Sequence, residues 1–325
     1  MRVAVTGSTG RLGRAIMAAL ADAPFTGLAG PIGWTRGDVD LDDPATAAQA
    51  IGRDRPEVVI HAAAWTDVDG CALDPPSAMR RNGEATGVIA EACAAAGLDL
   101  IVISTNEVFD GARTDGRGYG PADPPHPISP YGASKLAGEE AAAAAFRRAS
   151  GGGTAGGRRN GGAAGGRRSG GQLAIVRTAW LFGPGAPDFP TKILAAAERA
   201  HAAGEALRMV ADEWGTPTYA ADVADAIVEL LGHGEFGGTH HLVNGLVARR
   251  SDWTRDVLRR AGLDIEIEDV PGSTWPRPST PPRWGVLAPT ALPSSEPLRA
   301  WPEAMADYAP ILLRSWTSSR RAAAR

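Results

Sequence analysis

Val3-Ala4-Val5-Thr6 is a short apolar run with a β-branched bias, and it passes without a spacer into Gly7-Ser8-Thr9-Gly10-Arg11-Leu12-Gly13. Leu12, Ile16, Ala19 and Leu20 then recur at helical spacing. The order is strand, glycine turn, helix. In such a unit Gly7 permits the tight turn, Gly10 lets the backbone approach a pyrophosphate, and Gly13 lets helix and sheet pack closely. The phosphates would rest on free N–H groups at the helix N-terminus. A glycine triplet is weak evidence by itself in a chain with 41 glycines. Its position, seven residues from the start and between a strand and a helix, gives it weight.

The alternation continues along the chain. Ile32-Gly33-Trp34-Thr35, Val58-Val59-Ile60-His61-Ala62-Ala63, Leu100-Ile101-Val102-Ile103-Ser104-Thr105 and Leu173-Ala174-Ile175-Val176-Arg177 read as further strands, with helical stretches near 44–53 and 83–96. Near-continuous apolar strands fit a parallel sheet covered on both faces, the α/β class. A ligand is then expected at the carboxyl ends of the strands.

Composition narrows the function classes. At 325 residues, 44% hydrophobic and 22% charged, the chain can bury a large core. A net charge of −4 argues against nucleic acid as a main partner. Cys71 and Cys93 supply neither a metal-ligand cluster nor a disulfide framework, so no metal and a reducing compartment are expected. With no apolar run of ~18 residues and a core strand at the start, neither membrane span nor signal peptide is expected, and the location is read as cytoplasmic.

Nearly all of the 33 basic residues are arginine, yet one of the two lysines, Lys135, stands four residues after Tyr131. A helix over 129–149 puts both on one face, about one turn apart. An ammonium is a compact cation that can sit beside a phenol and a ribose hydroxyl together, where a guanidinium fork fits carboxylates and phosphates better. A fixed positive charge there is expected to lower the phenol pKa from ~10 toward neutrality, which suits a proton donor to a carbonyl undergoing reduction.

Several segments occur together in one order: Gly7-x-x-Gly10-x-x-Gly13, Ala62-Ala63-Ala64-Trp65-Thr66-Asp67-Val68-Asp69, Ser104-Thr105 followed by Val108-Phe109-Asp110-Gly111, Tyr131-Gly132-Ala133-Ser134-Lys135, Arg177-Thr178-Ala179-Trp180 and Val210-x-Asp212-x-x-Gly215-x-Pro217-Thr218. In this the chain resembles the extended short-chain dehydrogenases/reductases, and within them the dTDP-4-dehydrorhamnose reductase family. The resemblance implies a Rossmann-type doubly wound parallel sheet over residues 1–182. It implies a smaller, mainly substrate-binding region over 183–325, with 217–245 returning to the first domain.

It also implies roles. Tyr131 would protonate the substrate oxygen, Lys135 would hold the nicotinamide ribose, and Thr105 would bond the carbonyl oxygen or tune the phenol. Gly7, Thr9, Gly10, Arg11, Leu12 and Gly13 would cradle the cofactor phosphates. Arg36, Asp40, Leu41, Ala62, Ala63 and Ala64 would meet its adenosine half. Val68, Asp69, Asn106 and Trp180 match positions that bind the sugar nucleotide. Arg36 can clasp a 2′-phosphate, so NADPH is the expected cofactor, and Asp38 or Asp40 leaves NADH open. The expected function is reduction of a nucleotide-linked 4-keto-6-deoxysugar, in a protein for which a homodimer stays open. Family members usually carry Asp-Tyr where this chain has Asn106-Glu107, and glutamine where Glu213 stands. An added acid either repels an anionic sugar nucleotide or selects a different sugar. Two other readings share the motifs: a dinucleotide-binding regulatory protein without turnover, as in a methionine adenosyltransferase regulatory subunit of the same group, and an NAD-retaining epimerase or dehydratase.

Two segments break the pattern. Ser150 to Gly171 holds eleven glycines and four arginines in 22 residues and no large apolar residue, so it reads as a disordered surface insertion. Pro271 to Pro297 is proline-rich but contains Trp275, Trp284 and Leu287, so it is expected to pack irregularly against a core. Replacing Ser150–Gly171 by a short Gly-Ser link should change folding stability by only about 1 kcal/mol, because loop-closure entropy depends weakly on length. Urea melts of the two forms test this, and a large loss would show that the insertion is packed.

Overall fold

The structure, a computed structural model, describes residues 1–151, 171–294 and 296–323. Most of the expected insertion lies outside the described residues. Of its two ends, Ser150 closes the preceding helix with its amide on the Phe146 carbonyl, and Gly171 lies against Leu98.

Five strands follow the apolar runs: β1 (Val3–Thr6), β2 (Ile32–Trp34), β3 (Val58–His61), β4 (Asp99–Thr105) and β5 (Leu173–Thr178). With the strand Gly238–His241 they form a parallel six-stranded sheet in the order β2-β1-β3-β4-β5-(238–241). The helices are α1 (Arg11–Ala21), α2 (Thr46–Asp54), α3 (Val68–Leu73), α4 (Pro75–Ala78), α5 (Ala85–Ala95), α6 (Pro130–Ala149), α7 (Phe189–Ala203), α8 (Ala220–His233), α9 (Arg250–Ala261) and α10 (Trp301–Ala323).

Strand periodicity divides the apolar residues between two layers. Val3, Val5, Val58, Ile60, Ile101, Ile103, Ala174 and Val176 face α1 and α8. Ala4, Val59, Leu100, Val102 and Ile175 face the other way, onto α2, α5 and α6. On α1 the buried Leu12, Ile16 and Leu20 are spaced four apart, as one helical face requires. Both faces of the sheet are therefore covered, the doubly wound arrangement. Residues 220–241 thus serve this sheet, through α8 and the sixth strand. A separate core joins Phe182 to α7, α9 and α10 around Trp253, Met305 and Tyr308. Among the described residues no helix is long and apolar enough to cross a membrane.

The proline-rich stretch packs as bridges rather than strands. Trp284 pairs with Trp214, and Leu287, fully buried, pairs with Tyr119. Trp275 departs from the expectation, since it is exposed and has the Arg208 guanidinium 5.6 Å from its ring centre instead of a core. An indole face can be covered by a cation as well as by apolar contacts.

One ionic contact crosses the sheet–helix interface. Arg177 on β5 holds Glu139 of α6 through Nη2 at 2.6 Å and Nε at 3.0 Å, both side chains under a tenth exposed, and Ser104 of β4 also donates to Glu139. Removing one partner of such a pair strands a buried charge, so Arg177→Met should cost about 3–5 kcal/mol. Denaturant unfolding measures it, and adding Glu139→Gln should recover a large part of the loss.

Candidate active site

A cleft of about 780 Å³ runs along the carboxyl ends of β1 to β5. At one end is the glycine turn. Gly7 has a left-handed φ of +64°, and a Cβ on Gly13 would lie 2.1 Å from the Gly7 carbonyl oxygen, so neither position tolerates a side chain. The turn brings the first amides of α1 to the cleft without partners inside the helix. Arg11 also lines the cleft, and its guanidinium donates to the Gly183 carbonyl at 3.0 Å and to that of Ala186. Thr9, Gly10, Leu12, Arg36, Asp40, Leu41 and Ala62 to Ala64 line the same end. A backbone cradle that a Cβ would fill, at the N-terminus of a helix and with a nearby arginine, fits a phosphorylated dinucleotide.

Thr105, Tyr131 and Lys135 meet at the middle of the cleft, all buried. Their elements are locked together at Gly132, whose Cβ would fall 2.0 Å from the Glu107 carbonyl oxygen, so α6 begins in contact with the turn that follows β4. Ser129 caps α6 by accepting from the Gly132 amide at 3.0 Å, and its hydroxyl donates to Glu107 at 2.9 Å. Thr105 accepts from the Glu107 amide at 3.2 Å.

The electrostatics correct the expected tyrosine pKa. Burial, with Glu107 and Cys71 nearby, pushes the Tyr131 phenol up, and the hydrogen bond with Thr105 opposes this only in part. Lys135 is itself pushed down to about 8 by burial, against the pull of Glu139. Desolvation disfavours both charged forms. The phenol therefore keeps its proton at neutral pH.

At the far end Trp180 projects into the cleft from a left-handed backbone, φ +41°, a conformation that costs a bulky residue on the order of 1–3 kcal/mol. The Arg250 guanidinium lies 3.5 Å from the Trp180 ring centre, and its Nε is 3.5 Å from Glu213. Glu107 is mostly buried, which pushes its carboxyl up, while Arg250 and Arg277 pull it down. The two acids that depart from the family pattern thus each have a cation nearby. Val68 and Asn106 line the cleft, and Asn106 also donates to the Gly285 carbonyl at 3.0 Å. Asp69 does not line it. Its carboxylate accepts from Arg277 Nε at 3.0 Å and from the Ser279 amide at 3.1 Å and hydroxyl at 2.5 Å.

Arg81, Arg250, Phe189 and Trp253 line the cleft and carried no sequence signal. Each arginine is the second of an Arg-Arg pair in an arginine-rich chain, and the two aromatics resemble any core aromatic. Among the described residues no group of three or more His, Cys, Asp or Glu could hold a metal ion.

A doubly wound sheet with a glycine cradle at one end of its cleft and a buried Thr, Tyr and Lys at the middle defines an extended short-chain dehydrogenase/reductase. The family described as RmlD substrate binding domain matches residues 1–150 and 162–313, and the chain belongs to it. A dTDP-4-dehydrorhamnose reductase of Streptomyces griseus is 32% identical over 95% of this chain and 93% of its own length. A dTDP-4-keto-6-deoxy-D-glucose reductase of Streptomyces niveus is 31% identical over 95% and 96%. The solved structure of a dTDP-4-dehydrorhamnose reductase from Clostridium acetobutylicum is similar with a TM-score of 0.81 and 26% identity, covering 96% of this chain and 99% of that one.

Beneath the cradle lies a buried polar chain. The Ala63 amide donates to Thr6 Oγ1 at 3.1 Å, Thr6 Oγ1 meets His61 Nδ1 at 2.9 Å, His61 Nε2 meets Thr86 Oγ1 at 3.2 Å, and Thr86 donates to the Asn82 carbonyl at 2.7 Å. Each hydroxyl has one proton to give, so the chain closes only with a neutral imidazole protonated on Nε2. Burial, with Lys135 adding to it, holds His61 down at about 3. An unfolded imidazole binds its proton below ~6.5, so acid favours the unfolded chain and stability is lost as pH falls from there toward 3. Unfolding titrations should show this slope in wild type and a shallower one in His61→Asn.

Proposed function

We propose that the protein is an NADPH-dependent reductase of a dTDP-linked 4-keto-6-deoxysugar. The observation that carries this reading is the meeting of Thr105, Tyr131 and Lys135 in one cleft with the glycine cradle. The bound cofactor supplies the hydride. Tyr131 gives its proton to the carbonyl oxygen as the alcohol forms, and the raised phenol pKa keeps that proton available. Thr105 orients the phenol and bonds the same oxygen. Lys135 holds the nicotinamide ribose by its ammonium. Gly7, Gly10, Gly13 and the first amides of α1 hold the pyrophosphate, and Arg36 takes the 2′-phosphate. Val68, Asn106 and Trp180 hold the sugar nucleotide, while Asp69 supports that wall from behind. Cys71 and Cys93 are both free, as a reducing compartment leaves them, and we place the reaction in the cytoplasm.

Incubation with NADPH and a panel of dTDP-4-keto sugars, followed at the nicotinamide absorbance band, tests the reading. Tyr131→Phe should cut turnover by ~100-fold or more with cofactor affinity near wild type. Lys135→Arg should damage both turnover and cofactor binding, since a fork does not replace a point donor. A wild type that oxidises no NADPH with any member of the panel marks a regulatory binder. Tightly retained NAD marks an epimerase or dehydratase.

A further inference from the structure

At the adenosine end of the cleft one carboxylate holds two arginines. Arg81, from the turn Met79–Glu84, donates to both oxygens of Asp42 at 2.6 and 2.9 Å. Arg36, just after β2, donates to the same carboxylate at 2.7 Å and has its Nε 3.4 Å from Asp40. The Arg81 guanidinium is set over the Trp65 ring, 5.2 Å from its centre. Arg36, Asp42, Trp65 and Arg81 all line the cleft. Two guanidiniums from elements 45 residues apart in sequence converge on one anion, the geometry of an anion site filled by a side chain of the protein itself.

We propose that Arg81 is a second ligand of the cofactor 2′-phosphate, and that Asp42 is a placeholder which the phosphate displaces from Arg36 and Arg81. A phosphate monoester carries more charge than a carboxylate and a third terminal oxygen, so it serves two forks better. The side chains are 74% (Arg36), 37% (Asp42) and 32% (Arg81) exposed, so their mutual pairs are screened by water and exchange readily. The stacking on Trp65 keeps Arg81 in place while its partner changes. With NADH nothing displaces Asp42, and the cluster stays as it is. Asp42 therefore sets the preference between the two dinucleotides, lowering it for NADPH, and the ordering of Arg36 alone does not.

The inference rests on the proposed NADP-linked reading, and calorimetric binding of NADPH and NADH to the full chain separates the two. Arg81→Ala should weaken NADPH about tenfold, the loss of one charge-assisted pair, and change NADH by less than about twofold. Asp42→Asn should tighten NADPH by about threefold and leave NADH alone, since it removes a competing anion. Equal effects of Arg81→Ala on both dinucleotides, or none on either, overturn the assignment of Arg81. Weaker NADPH binding in Asp42→Asn shows that Asp42 positions the arginines and overturns displacement. A wild type that binds neither dinucleotide overturns the cofactor reading and this inference together.

Discussion

Glu139 is the side chain on which the catalytic half of the molecule turns. It lies on α6, one turn after Lys135 and two after Tyr131, and it is gripped from the sheet by Arg177 of β5 and Ser104 of β4. A helix packed by small residues has little to fix its rotation, and α6 is rich in alanine. The buried ion pair supplies what the packing lacks, a directional contact whose rupture strands a charge. Rotation of α6 so defined carries Tyr131 to Thr105 and Lys135 into the cleft. The same carboxylate pulls the Lys135 pKa up against burial, so position and charge are set by one contact.

That arrangement changes how the tyrosine acts. A lysine beside a phenol suggests a tyrosinate, but burial disfavours the phenolate and Glu107 adds a further penalty, while Lys135, at about 8, keeps its charge at neutral pH. For a ketone being reduced the protonated phenol is the useful form, because it must give a proton as the oxygen gathers charge.

Local signals were legible in the sequence. The strands, the glycine turn, α6 and the Thr105, Tyr131, Lys135 set all rest on spacing within a few residues, and steric and periodic rules act at that range. Long-range partners were not. Asp69 was expected at the substrate, yet it bonds Arg277 and Ser279, more than two hundred residues away, and no local pattern announces such a contact. Arg81 and Arg250 were hidden by the abundance of arginine, and the Tyr131 pKa was misjudged because burial cannot be counted from spacing. Trp275 read as a packing residue by its type alone.

The two ends of the cleft are built by different means. The cradle is backbone geometry enforced by the Gly7 and Gly13 close approach, which few substitutions survive. The irregular stretch beyond Pro271 is held by separate polar ties: Asp69 to Ser279, Asp212 to Gly272 and Arg283, Asn106 to Gly285. Each tie can be exchanged without disturbing a sheet or a helix core, because loops carry function on a rigid scaffold. Arg250 pairs with Glu213 at 3.5 Å and also draws the Glu107 carboxyl down. With two acids on one guanidinium the cluster does not neutralise itself, and burial with Glu213 nearby pushes the Glu107 carboxyl up.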